Sequence, residues 1–439
     1  MLFLRALRLS SIAAFVFTAV NYALFYWKGV PLVTEIVAEW IMARTPNYYA
    51  VVLLDTLGDW AKPFAATGGL AATGFVFFLL FFASLALRRA APMPAPSPAR
   101  REWLARAVPF VMMAGTAGVA VESWARDRAW ARKAVEPVPL WPFQYPEERD
   151  QFAPGLVRKS VTSVDSFYGM SKNTVDPVLD PTSWRLKVTL DGRPWKEYSY
   201  SQLLALRRIQ RYTTMRCVSN TLNSNLMGTA EWSGIFLRQL VDPAEVPSHI
   251  SEIAFIGVDG HDDSLPAAYA FSDDLLLALG MNGMTLNRIH GFPFRLIAPK
   301  YYGFKSVKWM SEIRLCSQPY VGTWPKMGYT KEPVVHTMSY IDRIRRNGEQ
   351  ALAGGVAFAG IRGVSRVEVR AGKGPWVEAQ LEAPISAFTW SRWKANLVIP
   401  EGAAVVEARA ADGTGAWQAT TESPLFPDGV KGPTIKRLS

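Results

Sequence analysis

Met215-Arg216-Cys217-Val218-Ser219-Asn220 places a single cysteine in a run that ends in serine and asparagine, and Gly228-Thr229-Ala230-Glu231-Trp232 follows it closely. The chain of 439 residues contains only two cysteines. Tetrahedral structural zinc needs several ligands at short spacings, and no histidine or second cysteine stands near Cys217. The lone thiolate is therefore suited to be one soft ligand of a metal that brings its other ligands with it.

Two further runs follow the cysteine. His290-Gly291-Phe292-Pro293-Phe294-Arg295 comes first, and Lys308-Trp309 comes second. Together these runs resemble the molybdenum domain of the sulfite oxidase family, and the resemblance extends from Phe167 to Ser439. It implies a molybdenum-molybdopterin cofactor with a single pterin. In that arrangement the cysteine sulfur ligates molybdenum and a pterin dithiolene supplies two further sulfurs.

The resemblance also implies roles for individual residues. Cys217 is expected to ligate molybdenum and, with Tyr329 and Lys172, to form the catalytic group. The residues expected to bind the cofactor are Asn173, Cys217, His290, Arg295, Lys305 and Lys308. A soft thiolate suits a high-valent metal, and a phosphate-bearing pterin needs cationic and amide donors. The implied chemistry is two-electron oxo transfer, in which a phenol such as Tyr329 either donates a hydrogen bond to the transferred oxygen or assists proton-coupled electron transfer.

The match is weaker where the substrate would bind. Lys172 stands in place of the family's early arginine, and Lys305 also stands where an arginine is expected. The late arginine has no counterpart in the run from Phe426 to Lys431. Lysine keeps the charge but lacks the bidentate fork of arginine. The expected activity is therefore oxo transfer on sulfite or another small oxo acceptor, with the reduction of a sulfoxide as the alternative.

Each of these features also has a plainer interpretation. In an exported protein, Cys217 and Cys316 are able to pair as a disulfide. The chain would then be a cofactor-free, membrane-tethered binding module, although the joint presence of Cys217, His290, Arg295 and Lys308 favours the enzyme. Asp262-Asp263 follows a histidine and suggests either a metal site or a solvated turn, of which we favour the turn.

The apolar residues are concentrated in the first third of the chain. Leu9–Trp27 and Gly68–Leu87 have the length of transmembrane helices, and Ala107–Val121 is a shorter third candidate. Arg100-Arg101-Glu102-Trp103-Leu104 precedes the third run and resembles a twin-arginine export signal. The distribution of positive charge predicts three crossings of the cell membrane, with the catalytic part on the periplasmic or extracellular side. Residues 31–64 are expected to lie at the interface, and a fourth crossing there would reverse the topology.

Charge and histidine content limit the partners. The net charge of +11 does not by itself indicate nucleic acid, because many positive residues flank apolar runs and no nucleic-acid-binding motif accompanies them. No histidine precedes His249 and no Cys-x-x-Cys-His run occurs, so no haem is expected. The expected partners are a small oxo acceptor or donor and a separate electron-transfer protein, either a cytochrome or a quinone-linked protein. A homodimer is compatible with the C-terminal domain.

The patterning predicts an α+β fold in four parts. They are a membrane anchor (1–135), a proline-rich linker (136–158), a mixed molybdopterin-binding domain of sulfite oxidase type (159–333) and an immunoglobulin-like β-sandwich of dimerisation type (334–439). Residues 185–190 and 251–259 read as strands, while 199–208 and 272–280 read as helices, the second with Ser272 as N-cap. Residues 365–370 and 405–410 alternate as strands of the sandwich.

Overall fold

The computed structural model describes residues 132–172, 176–222 and 224–438. The three predicted membrane spans and the twin-arginine-like run lie outside these residues. Within the described ranges, no helix combines the length and the apolar character that a membrane crossing requires. Residues Ala134–Lys172 and Pro177–Ser439 form one compact unit.

Strands dominate this unit. They are β1 (Arg185–Leu190), β2 (Arg193–Ser199), β3 (Ile209–Arg216), β4 (Met227–Ile235), β5 (Glu252–Gly257), β6 (Asp262–Pro266), β7 (Leu276–Met281), β8 (Met284–Thr285), β9 (Arg295–Ile297), β10 (Met310–Cys316), β11 (Met338–Asn347), β12 (Gln350–Phe358), β13 (Val364–Ala371), β14 (Val377–Glu378), β15 (Gln380–Leu381), β16 (Ser391–Val398), β17 (Val405–Asp412) and β18 (Thr434–Arg437). The helices are α1 (Glu147–Asp150), α2 (Tyr200–Ala205), α3 (Ala267–Ala270) and α4 (Thr323–Lys326). The helices are far shorter than the mixed α+β prediction implied, so the prediction is right in its strands and wrong in its helical share.

Two sheets build the part that precedes residue 334. One has the order β2-β1-β10-β5-β6, and its β1 and β10 run parallel while its other neighbours are antiparallel. The other has the order β3-β4-β7-β8, with β9 paired to β7. Side chains from both sheets share one hydrophobic core, in which Trp232, Phe255 and Leu277 are fully buried. This shared core fixes the ends of β3 and β9, from which the key residues of the site project.

A second core lies between two four-stranded antiparallel sheets. Their orders are β11-β12-β16-β15 and β14-β13-β17-β18, and Trp393 is the largest side chain buried between them. Gly355 allows β11 and β12 to approach, because a Cβ there would come within 1.8 Å of the carbonyl oxygen of Tyr340. The predicted alternating strands are confirmed as β13 and β17. The assignment of this sandwich to the immunoglobulin class stays a prediction.

The helix predicted for residues 272–280 is wrong. Leu276–Met281 is strand β7, paired with β4, β8 and β9, and all six of its residues are buried. A short, continuously apolar run fits a strand buried on both faces as well as a buried helix, and pairing on both sides decides for the strand. Ser272 does not cap a helix but donates its hydroxyl to the carbonyl of Tyr269 at 2.8 Å.

The predicted helix at 199–208 forms only over α2. Ser199 caps it through a reciprocal pair, because its hydroxyl accepts from the N–H of Gln202 and its own N–H donates to the side chain of Gln202. The helix ends where Leu206 adopts an extended conformation. The predicted strands at 185–190 and 251–259 are confirmed as β1 and β5.

Candidate active site

Cys217 lies immediately after strand β3, where the chain leaves the second sheet. Its N–H donates to the carbonyl of Leu226 at 2.9 Å and closes a loop between β3 and β4. Asn220 is buried inside this loop, and its Oδ1 accepts from Leu226 N and Ser224 Oγ, each at 2.7 Å. Because one amide satisfies several groups of the loop, the sulfur of Cys217 is held in a defined position.

The thiol of Cys217 is buried and unpaired. Both cysteines of the chain are free, and Cys316 sits at the end of β10 with its thiol directed at the carbonyl of Arg314. The structure therefore contains no disulfide between them. Burial raises the pKa of the Cys217 thiol, whereas hydrogen bonds from Ser219 and the charge of Arg216 act in the opposite direction.

Arg216 is a buried cation that the sequence analysis did not assign to the site. Its guanidinium donates to Tyr302 Oη at 3.1 Å and to the carbonyl of Asn220 at 3.2 Å, and it lies over the rings of Tyr302 and Tyr340. Its Nε has no hydrogen-bond partner. The sequence shows an arginine next to a lone cysteine, but only the structure shows that this arginine is fully buried at the end of a strand.

His290 and Arg295 come together at the start of β9. The Nε2 atom of His290 is 2.9 Å from the carbonyl of Val164, and Nδ1 has no partner. Arg295 is buried and donates to the carbonyls of His290 at 3.0 Å and Ser306 at 3.4 Å. Burial lowers the pKa of Arg295 to about 10 and that of His290 to about 4. Near neutral pH the site therefore holds a guanidinium cation and a neutral imidazole.

Lys308 lies beside this pair. Its Nζ donates to the carbonyl of Ile289 at 2.9 Å and sits 4.1 Å from the centre of the Trp309 ring. The chain at Gly291 has a φ of 100°, and a Cβ there would lie 2.9 Å from the Lys308 Cβ. Glycine is needed at Gly291 both for this backbone conformation and for the close approach of the lysine.

Three aromatic rings surround the ring of Tyr329. Its ring centre is 5.2 Å from Phe426, 5.6 Å from Trp324 and 5.9 Å from Phe304. Burial and the negative charge of the Cys217 thiolate raise the pKa of Tyr329 to about 12. The phenol is therefore protonated at neutral pH.

A second phenol, that of Tyr168, was also missed as a site residue. Its hydroxyl is buried without a hydrogen-bond partner. Burial and the charge of Cys217 raise its pKa, and Arg295 opposes them. An isolated tyrosine carries no sequence signal of its own. Tyr168 and Tyr329 thus contribute two buried, protonated phenols from distant segments of the chain.

Lys305 has a different environment from the other predicted cofactor contacts. Its ammonium lies 2.6 Å from Asp263 Oδ1 and 2.9 Å from the carbonyl of Ser264, and both side chains of the pair are almost fully buried. The solvated turn favoured for Asp262-Asp263 is therefore wrong, because both residues lie in β6 and Asp263 faces the interior to meet Lys305. The ammonium of Lys305 is thus already paired with the carboxylate of Asp263. The cofactor-binding role of Lys305 stays a prediction.

The remaining two predicted residues are Lys172 and Asn173. Asn173 lies outside the described residues. Lys172 is described, and a Cβ at Gly260 would come within 3.6 Å of its Nζ, so its ammonium lies at the turn between β5 and β6. The catalytic role predicted for Lys172 stays a prediction.

The residues around Cys217 fit a molybdopterin. Within the described ranges, neither Arg216 nor Arg295 forms an ion pair with a carboxylate, although both are buried. An unpaired buried charge costs several kcal/mol unless an anion accompanies it, and a phosphate or a dithiolene is such an anion. No group of three or more histidine, cysteine or acidic side chains able to hold a metal occurs among the described residues. A metal at Cys217 would accordingly have to bring ligands with it.

Fold and site together define an oxidoreductase that binds molybdopterin. A family model described as "Oxidoreductase molybdopterin binding domain" matches residues 173–324, a range that includes Cys217, His290, Arg295 and Lys308. This domain is a molybdopterin-binding oxidoreductase domain of the sulfite oxidase type.

The similarities within the family are distant. The chain is 25% identical to sulfite oxidase of Arabidopsis thaliana over 281 residues, which is 51% of this chain and 71% of that protein. It is 27% identical over 233 residues to the protein-methionine-sulfoxide reductase catalytic subunit MsrP of Burkholderia mallei, or 48% of this chain and 67% of that protein. The sulfane dehydrogenase SoxCD of Paracoccus pantotrophus shares the fold, with a TM-score of 0.52, 20% identity and coverage of 60% of this chain and 75% of that one.

The buried pair formed by Lys305 and Asp263 yields a stability prediction. Lys305→Ala leaves the Asp263 carboxylate buried without a cation and should lower the free energy of unfolding by about 3–5 kcal/mol. The double variant Lys305→Met/Asp263→Leu should recover most of this loss, because it removes both charges. Urea unfolding of the solubilised protein, followed by tryptophan fluorescence, measures the difference. Lys196→Ala, which breaks the exposed pair with Glu245, is the control, and an equally large effect there would contradict the assignment.

His290 yields a pH prediction. Its folded pKa of about 4 lies below the ordinary value of 6.5, so between these values the unfolded chain binds more protons than the folded one. The free energy of unfolding should therefore fall by about 3 kcal/mol as the pH drops from 6.5 to 4. In His290→Gln this component should be absent, since glutamine does not titrate. Denaturant unfolding of both proteins across that range isolates the His290 component, and parallel curves would refute it.

Proposed function

We propose that this protein is a two-electron oxo-transfer enzyme that acts on the sulfur of a small substrate, with sulfite as the first candidate. The observation that carries the proposal is the convergence on Cys217 of buried cations without carboxylate partners and of protonated phenols. In sulfite oxidation, sulfite and water become sulfate, two protons and two electrons. In the reverse sense, a sulfoxide takes up two protons and two electrons and becomes a thioether and water.

The chain's own residues would divide the work around the cofactor. Cys217 would provide the metal ligand, and Arg216, His290, Arg295 and Lys308 would surround the anionic pterin with donors. The bound cofactor would supply the oxo transfer and the two electrons. Tyr329, protonated and close to Cys217, would donate a hydrogen bond to the substrate oxygen. The aromatic rings around Tyr329 would exclude water from that bond and so strengthen it.

Sulfoxide reduction is the second candidate, and the aromatic surround of Tyr329 favours it. Phe426 and Trp324 are both partly exposed and both contact the Tyr329 ring. Such a rim offers apolar area to the carbon substituents of a sulfoxide, which sulfite lacks. The similarity to the MsrP subunit of Burkholderia mallei agrees with this candidate.

Metal and pterin content tests the proposal directly. We expect the detergent-solubilised full chain to contain stoichiometric molybdenum and pterin, and Cys217→Ser to lose most of the metal because hydroxyl oxygen is a poor substitute for a soft thiolate. Cys316→Ser is the matched control and should retain both. Metal-free wild-type protein would refute the enzyme.

The same preparations separate the two substrates. Sulfite should bleach the visible absorption of the oxidised protein if sulfite is the substrate. A methyl sulfoxide should restore that absorption in the dithionite-reduced protein if the enzyme is a reductase. Neither change should occur in Cys217→Ser.

We also propose that the enzyme is anchored in the cell membrane, with residues 159–439 on the periplasmic or extracellular side, and that it exchanges electrons with a separate cytochrome or quinone-linked protein. The apolar runs and the charge bias of the first 135 residues support this topology. We expect activity from a reporter enzyme that works only outside the cytoplasm when it is fused after Ser439. Activity from a reporter that works only inside the cytoplasm, fused at the same place, would contradict the three-crossing arrangement.

A further inference from the structure

The segment that carries Tyr329 crosses the edge of the first sheet. We call residues 317–333, between β10 and β11, the strap. Asp262 at the start of β6 holds the strap through both carboxylate oxygens: Oδ1 accepts from the hydroxyl of Thr323 at 2.5 Å, and Oδ2 accepts from the phenol of Tyr320. The N–H of Asp262 also donates to Thr323 Oγ1 at 3.2 Å. Asp262, at the edge of the sheet, therefore binds the strap through two of its residues, Thr323 and Tyr320.

A second carboxylate secures the strap at its two ends. Glu252 in β5 accepts from the N–H of Tyr320 at 3.1 Å and from the hydroxyl of Ser264 at 2.8 Å. Its other oxygen forms an ion pair with Lys331. Because Lys331 follows Tyr329 by two residues, the strap is attached to the sheet on both sides of the phenol.

At Gly322 the strap lies so close to the sheet that no side chain larger than that of glycine fits. A Cβ at Gly322 would fall 2.7 Å from the carbonyl oxygen of Asp262 and from the Cα of Asp263. Helix α4 begins at the next residue, and the N–H of Tyr329 donates back to the carbonyl of Trp324 at 3.2 Å. The position of α4 on the sheet thus determines the position of Tyr329.

We propose that Asp262 is a positioning residue for Tyr329, whose place in the site it fixes through Thr323 and Tyr320. The inference rests on the proposed function, since it matters for catalysis only if Tyr329 meets the substrate. Asp262 touches neither Cys217 nor substrate and acts entirely through the strap. A displacement of about 1 Å at a reacting group is enough to slow a reaction substantially.

The variant Asp262→Asn tests this role. It keeps the size of the side chain but replaces one acceptor oxygen by an amide donor. One of the two hydrogen bonds, from Thr323 or from Tyr320, is therefore lost. We expect kcat to fall at least tenfold with little change in KM, because the lost interaction is one that Tyr329 makes in the transition state. Thr323→Val should reproduce the effect and Thr323→Ser should not, since serine retains the hydroxyl. Asp242→Asn, an exposed carboxylate that accepts from Ala244 N, is the matched control.

Amide hydrogen exchange supplies a readout that does not need turnover. The N–H groups of residues 327–329 donate within the strap, and their exchange should accelerate at least tenfold in Asp262→Asn and Thr323→Val but not in the two controls. Unchanged exchange would overturn the proposal, and so would faster exchange with unchanged kcat. If the wild-type protein turned over no substrate, the proposed function would fail, while the exchange result would still decide whether Asp262 fixes the strap.

The pH dependence gives a third readout. Burial opposes ionisation, but hydrogen bonds from Thr323 and Tyr320, with the charges of Lys326 and His261, hold the pKa of Asp262 below its usual range. A carboxylate of this kind supports the strap above its ordinary pKa and releases it as the pH falls through the depressed one. After division by the intrinsic exchange rate, which itself falls in acid, the protection of wild-type residues 327–329 should therefore decrease in acid, whereas that of Asp262→Asn should already be low and change less. Parallel profiles would overturn the role of the carboxylate.

Discussion

The burial of positive charge beside Cys217 is the constraint on which the rest of this site depends. Arg216 and Arg295 lie inside the protein and are compensated, in the described structure, only by uncharged groups, namely carbonyl oxygens, the Tyr302 hydroxyl, the Met215 sulfur and aromatic faces. Such partners satisfy hydrogen bonds without supplying negative charge, so the free energy of folding carries a cost that an anionic ligand would offset. The second sheet, the loop closed by Asn220 and the turn at Gly291 all serve to hold these two cations near one sulfur.

Burial is what keeps the phenols of this site neutral. It raises the pKa values of Tyr168 and Tyr329, and for Tyr168 it outweighs the opposing charge of Arg295. They therefore remain donors near neutral pH. Such a site assigns two tasks to two kinds of residue. Cations suit the binding of an anionic cofactor, and neutral donors suit a hydrogen bond to an oxygen atom.

Part of the candidate site could be predicted because motifs preserve local order. Cys217, His290, Arg295 and Lys308 could be named from short runs, and the alternating strands β13 and β17 from their period of two. Burial was not predictable in the same way. The apolar run of β7 looked helical because periodicity does not distinguish a helix from a strand covered on both faces, and Asp263 looked solvated because its partner Lys305 is distant in sequence. Arg216 and Tyr168 were missed as site residues for the same reason, since only the three-dimensional structure reveals that the side chain of Arg216 and the hydroxyl of Tyr168 are both buried.

The contact between Phe426 and Tyr329 has a consequence for how this protein can evolve. The two rings belong to different halves of the compact unit, one to the β-sandwich and one to the strap, and Arg216 similarly reaches the ring of Tyr340 in β11. A recombination event that exchanged the sandwich for that of a distant homologue would replace part of the wall of the active site as well as a domain. Successful exchanges should therefore either carry compatible residues at these two contacts or alter substrate preference in a single step.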